Sequence, residues 1–395
     1  WPVLVRVILG AAIAMAIGYL FRSNIDDFMQ QDSDAAYFFE TASSASYDFS
    51  LDASILTNEN SLPIVVYGAI YNFFGDLGIR PDPALGILFN ALLVAASQFA
   101  IVAYARQRFG FNTEDSAKLA LLMSFNGVLM MFGGIHMRDA FLLLTATLSV
   151  LAFHPTVGVA KATTSLYRFL TLLFLMALSF LCRKEGFAVP LLVYLISSML
   201  PFDIRRKATQ IRILVLLLLG LYVLAGTDAV DLVLDNYEAY KLLSQGESAS
   251  GSLAYFLLYE LPLPISILAG NVLLLFIKIP FWRGMFFDSY SFYVSMAAVQ
   301  MIFVAPTLLA VSVYALRHKL RLEYLYLLLL VLSLLLLTAI TSNQVRHFSI
   351  LYPALFIIHV SRQRLITGTE QRRYFGFTRG LSIAIVSLSI LIELR

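Results

Sequence analysis

The sequence predicts an all-α, polytopic membrane protein, and three observations carry that prediction. Of the 395 residues, 59% are hydrophobic and only 13% charged, a balance outside that of soluble domains. The mean hydropathy is +0.80. Apolar runs of roughly 17–25 residues recur along the chain, each long enough to cross about 30 Å of hydrocarbon and none alternating as a membrane β-barrel would. Lysines and arginines gather in alternate connections, the bias that marks cytoplasmic loops. These patterns give eleven candidate spans in a single transmembrane domain over 1–395, with no separate soluble domain.

The first run, Val3 to Phe21, carries Arg6 and is followed by no small-residue cleavage pattern. It reads as a spanning helix rather than a secretory signal. Residues 22–82 form a first outer loop, with ten carboxylates against two arginines. Within it, 34–47 carries Ala35, Ala36, Tyr37, Phe38, Phe39 and Ala42, and 63–75 is apolar and aromatic but too short to span. Both segments read as helices lying at the membrane interface, where Tyr and Phe are at home. They would roof an outer cavity.

Spans follow at 84–105, 117–134, 139–154, 166–182, 186–201 and 213–227. A second outer loop covers 228–290, and its 228–260 part has six carboxylates against one lysine. The segment 253–287, with Pro262, Pro264 and Pro280, reads as re-entrant or interfacial. A full span over 261–279 would instead place Arg317 to Arg321 outside, against the positive-inside rule. Spans at 291–316, 322–340, 346–361 and 380–394 complete the set. The basic clusters Arg106/Arg108, Lys161/Arg168, Arg205 to Arg212, Arg317 to Arg321 and Arg362 to Arg379 then fall on the cytoplasmic side.

Four polar clusters fall on the other side: Asp32-Ser33-Asp34, His136-Met137-Arg138-Asp139, Arg183-Lys184-Glu185 and Asn343-Gln344-Val345-Arg346-His347. Charge beside a bilayer core is expensive, so each cluster is either compensated or functional. Asp32 or Asp34 can act as a general base, its pKa raised near a desolvated surface. The competing reading is a helix N-cap. Tyr37 and Phe38, on the next turn, can form a wall on which a sugar stacks. The Asp-x-Asp spacing can hold a divalent cation, but two carboxylates are too few to specify one, so no metal or other cofactor is expected.

Arg138 and Asp139 open a span after Gly133-Gly134. Arg138 can bind a phosphate while Asp139 orients it or acts itself; the alternative is a snorkelling arginine beside a capping aspartate. Arg183-Lys184-Glu185 is a tight outer turn, where arginine and lysine run against the positive-inside rule. A planar guanidinium suits phosphate because it can bond two of its oxygens. The alternative pairs Glu185 with its own neighbours. Arg346 and His347 open another span, a place suited to an anion. His136 reads as a structural histidine.

Other chemistries find no support. The single cysteine, Cys182, rules out an internal disulfide and a cysteine-built metal site. Phosphate-loop, dinucleotide and Gly-x-Ser-x-Gly fingerprints do not occur. The basic runs at 205–212 and 362–373 are topology determinants rather than a nucleic-acid surface.

The segments PIVVYGAIYNFFG (63–75), RQRFG (106–110), HMRDAFLLLTATLSVLAF (136–153), RKEGFAVPLLVYLI (183–196) and NQVRHFSILYPALFIIHV (343–360) follow one another behind an acidic first outer loop. In this layout the chain resembles the GT-C superfamily of integral-membrane glycosyltransferases. The likeness is greatest to bacterial members related to protein mannosyltransferases and lipid-linked aminoarabinose transferases. It covers about 30–360 and lies in layout and loose motifs. It implies a polyprenyl-phosphate-linked sugar donor, an outward-facing site in a bacterial plasma membrane, and inverting transfer to a lipid, glycan or protein acceptor. The family's first-loop acid is matched by Asp32 or Asp34, although its common Asp-Glu form reads Asp-Ser-Asp here. Its phosphate-binding cations are matched by Arg138, Arg183 and Arg346. The layout also suits polysaccharide polymerases that use lipid-diphosphate glycans. A lipid or solute transporter is the alternative of another class.

Overall fold

The computed structural model describes residues 1–20, 34–45, 60–155, 162–200, 289–318, 320–341, 350–366 and 369–393. The described residues are helical, with no strand among them. In chain order the helices are α1 (Pro2–Leu20), α2 (Asp34–Ala45), α3 (Ser61–Asp76), α4 (Pro83–Phe109), α5 (Thr113–Ser124), α6 (Gly127–Gly134) and α7 (Asp139–Ala152). They continue as α8 (Ala162–Cys182), a 3₁₀ turn (Lys184–Phe187), α9 (Ala188–Met199), α10 (Ser289–Arg317), α11 (Leu322–Thr341), α12 (Tyr352–Leu365) and α13 (Thr369–Glu393).

Among the described residues, two helices are long and apolar enough to cross a membrane, Pro83–Phe109 and Phe292–Arg317. The bent pair α5 and α6 makes a third crossing if counted as one span. Pro2–Ile17, Asp139–Ala152, Leu166–Cys182, Ala188–Met199 and Leu322–Leu335 are shorter apolar helices. The two helices expected in the first loop are present as α2 and α3. The expected span 213–227 and the segment 253–287 lie outside the described residues.

The expected span 117–134 is two helices meeting at 63°. Its break is satisfied from within the bundle. The Asn126 side chain accepts from the Leu129 N–H at 3.1 Å and so starts α6 afresh. Gln300 of α10 donates to the Leu122 carbonyl at 2.7 Å and accepts from Asn126 Nδ2 at 2.7 Å. Gly127 lets the backbones meet: a Cβ there would lie 1.8 Å from the Tyr293 carbonyl oxygen. Irregular backbone within an apolar segment is tolerated where protein groups take up its bonds. Pro306 inside α10 is handled likewise. It lacks the N–H that would bond the Ile302 carbonyl, and Ser382 of α13 donates to that oxygen at 2.8 Å.

Side-chain contacts sort the helix ends into two groups. Gly110, in the left-handed conformation (φ 65°), ends α4. Arg364 of α12 donates there to the carbonyls of Phe109 at 3.4 Å and Gly110 at 3.0 Å, and pairs with Asp115 at the start of α5. Phe109 packs on Tyr324 at the start of α11, with ring centroids 4.9 Å apart. His154, just past α7, bonds Tyr104 of α4 at 2.7 Å. Arg168, near the start of α8, donates to Ser197 near the end of α9 at 3.0 Å. One end of the bundle therefore gathers Arg106, Arg108, Arg168, Arg321, Arg362 and Arg364. Along α10, Tyr293 lies by Gly127 and Gly134, whereas Gln300 lies by Leu122. Its Arg317 terminus thus points to the same basic end.

The opposite end holds the starts of α4, α7, α9, α10 and α12 and the ends of α1, α6, α8 and α11. Close packing of α1 fits lipid surroundings, where van der Waals contact rather than water exclusion joins helices. A Cβ on Gly10 would lie 2.5 Å from Ser124 Cβ.

Candidate functional site

Three of the four polar clusters, or their helices, meet at the end opposite the basic one. α2 and α3 lie over the turn 135–138 that joins α6 to α7. The Arg138 guanidinium carbon stands 5.9 Å from the Phe38 ring centroid of α2. Its Nη1 donates to Oδ1 of Asn60, the residue before α3. The 3₁₀ turn carrying Lys184 and Glu185 presses on the first turn of α7: a Cβ on Gly186 would lie 3.0 Å from Leu142 Cδ2. Cys182, at the end of α8, is within electrostatic reach of both Arg138 and Asp139. Arg183 is half-buried, and its backbone bonds Ser179 and Gly186 at 2.9 and 2.8 Å.

The expected site residues fall as follows. Asp34 is the first residue of α2, and Tyr37 one turn on is 47% exposed, with its ring edge-on to Phe38 at 5.5 Å. Asp139 opens α7 and is buried at 2% exposure. Lys184 and Glu185 belong to the 3₁₀ turn. Asp32, Arg346 and His347 lie outside the described residues. The helices flanking the fourth cluster, α11 and α12, end and start on the same side as the other three. Among the described residues no three His, Cys, Asp or Glu side chains gather as a metal would require.

The turn 135–138 is held from two sides. Tyr67 and Tyr71 stand one helical turn apart on a single face of α3, and both are buried. Tyr67 shares its hydroxyl proton between Asn90 Oδ1 at 2.7 Å and the Met137 carbonyl at 2.8 Å. Asn90 of α4 donates through Nδ2 to the carbonyls of Ile135 and Met137, both at 2.9 Å. Tyr71 bonds His136 Nε2 at 2.7 Å, and the Tyr67 and His136 ring centroids are 4.0 Å apart. Gly86, one turn before Asn90 on α4, makes room for the imidazole: a Cβ there would lie 2.0 Å from His136 Cδ2.

Burial sets the protonation of these groups. His136 is pushed down to about 4 by desolvation, so its ring is neutral near pH 7. The phenols of Tyr67 and Tyr71 are raised by the same cause and stay protonated. A neutral, bonded support thus underlies a cationic residue.

Sequence reasoning singled out Arg138 but missed what presents it. An amide within the apolar run 84–105, and two tyrosines four residues apart on the short helix, were the available signals. Asn60 carried none.

Comparison with known proteins finds no matching family model, no matching curated protein and no matching solved structure.

Proposed function

We propose that the chain is an integral-membrane glycosyltransferase of the GT-C type. It moves a sugar from a polyprenyl phosphate to a lipid, glycan or protein acceptor, with inversion and without a metal. The observation that carries this reading is the meeting of the Arg138 turn and the Arg183 turn beneath α2 and α3, at the end opposite the arginine-rich one. By the positive-inside rule the arginine-rich end is cytoplasmic, so the meeting point faces outward, the periplasm or exterior of a bacterial plasma membrane. Arginine there runs against topology and with phosphate chemistry. A polyprenyl phosphate keeps its tail in hydrocarbon and its phosphate at the surface, the depth at which these helix ends lie.

The reaction needs few groups. The acceptor hydroxyl attacks the anomeric carbon, a new C–O bond forms, and the bond from that carbon to the phosphate oxygen breaks. Asp34 or Asp32 takes the hydroxyl proton, help typically worth about 10²–10⁴ in rate. Arg138, Arg183, Lys184 and Arg346 stabilise the departing polyprenyl phosphate as charge gathers on its oxygens. Asp139, Glu185 and His347 orient those cations, and Tyr37 offers a ring face to the sugar. The fine topology proposed is eleven crossings. It is supported by α9 ending at the basic end while α10 starts at the opposite one, as a single crossing by 213–227 requires.

Purified protein given a polyprenyl-phosphate sugar and an acceptor should release free polyprenyl phosphate. Activity only with a diphosphate-linked oligosaccharide would favour a polymerase. Movement of lipid or solute with no release would favour a transporter.

A further inference from the structure

Arg138 sits at the end of a turn, not inside a helix, so something must set where it stands. Its own carbonyl is fixed by the first turn of α7, accepting from the N–H groups of Phe141 at 3.0 Å and Leu142 at 3.3 Å. On its other side, the peptide joining Met137 to Arg138 is one rigid plane, so holding the Met137 carbonyl fixes the Arg138 N–Cα bond. With the Arg138 carbonyl also held, the direction from which the side chain leaves is set. That carbonyl is where Tyr67 and Asn90 converge. We propose that Tyr67 and Asn90 are positioning residues that aim Arg138 at a lipid phosphate through the Met137 carbonyl. The inference rests on reading Arg138 as a phosphate ligand.

The hydrogen bonding leaves one arrangement. Two carbonyl oxygens face one side of the Asn90 amide, so its NH₂ must point there and its oxygen must face Tyr67. The Tyr67 hydroxyl is then the donor that satisfies the Asn90 oxygen. All three groups are buried, where an unmet polar group costs more than a formed bond returns. Removing the hydroxyl therefore loosens the amide, and through it both ends of the turn. Preorganisation of this kind acts on affinity, because binding then need not fix the turn.

Tyr67→Phe tests the idea while keeping the ring that packs on His136. The probes are a short-chain polyprenyl phosphate and the matching prenyl alcohol, bound to detergent-solubilised protein in a double-mutant cycle with Arg138→Gln. Wild-type protein should prefer the phosphate over the alcohol. Tyr67→Phe should reduce that preference about tenfold, and should change it less than about twofold once Arg138 is already glutamine. Asn90→Ala runs the same cycle from the other donor, and serves if Tyr67→Phe does not fold. Equal losses in both backgrounds, or no loss in either, would overturn the positioning role. No preference for phosphate in the wild-type protein would instead remove the phosphate-site reading, leaving a structural pair.

Discussion

Asn60 stands before the first residue of α3 with a left-handed backbone (φ 74°), and its side chain bonds Arg138 instead of capping its own helix. An asparagine at this position ordinarily turns its oxygen to the helix's free N–H groups. Under the proposed function, the amide oxygen occupies part of the guanidinium fork that a phosphate oxygen would use. Asn60→Asp replaces that neutral acceptor with an anion that holds Arg138 and competes with the donor lipid. The donor KM should rise about tenfold, the effect of one added charge-assisted contact, with kcat little changed. Asn60→Gly keeps the left-handed backbone and removes the competitor, so its donor KM should equal or fall below that of the wild type. A lower donor KM in Asn60→Asp would contradict this account.

Asp34 opens α2, the helix that also supplies Phe38, whose ring faces the Arg138 guanidinium. If it removes the acceptor proton, Asp34→Asn should lose about 10²–10⁴ in transfer rate while expression and donor binding persist. Asp32→Asn is the partner experiment. Full transfer activity in both variants would sink the assignment of a first-loop base.

Three glycines separate packing from backbone freedom. A Cβ on Gly127 meets the Tyr293 backbone oxygen at 1.8 Å, and one on Gly86 meets the His136 ring at 2.0 Å, whereas Gly376 has nothing within 4 Å. Gly127→Ala should be the most damaging, because backbone must move. Gly86→Ala should destabilise by about 1–3 kcal/mol, because an imidazole held by Tyr71 must shift. Gly376→Ala lies in open space on a helix and should be neutral or stabilising by about 0.5–1 kcal/mol. Thermal unfolding of the purified variants gives the order directly.

What the sequence disclosed follows from the length scale of each signal. Helices α2 and α3 were legible because alanine and aromatic residues fill segments too short to cross. The grouping of Arg106, Arg168, Arg321 and Arg364 at one end was legible because alternate charge in loops is a property of the whole chain. The break in 117–134 was not, since Asn126-Gly127 reads as part of an apolar run until Gln300, far away in sequence, is seen to satisfy it. The support of Arg138 was hidden for the same reason: Tyr67, Asn90 and Met137 come from three separated segments, and only folding makes their bonds.

His136 gives a pH dependence of definite sign. Its ring sits at about 4 in the folded protein against an ordinary value of 6.5, the shift caused by burial. Between those values the unfolded chain binds the extra proton and the folded protein does not. Stability should therefore fall as pH drops from about 6.5 toward about 4, and be unaffected by this group above that window. The full span corresponds to on the order of 3 kcal/mol for one group. Measurements between about pH 7.5 and 5 stay above most carboxylate titration, so histidine dominates the slope. His136→Gln removes the titration, and its unfolding midpoint should lose less over the same interval than that of the wild type. Comparing the two proteins also cancels the other histidines, which both retain. Parallel slopes would show that His136 is not buried and neutral as the Tyr71 bond and the Gly86 contact imply.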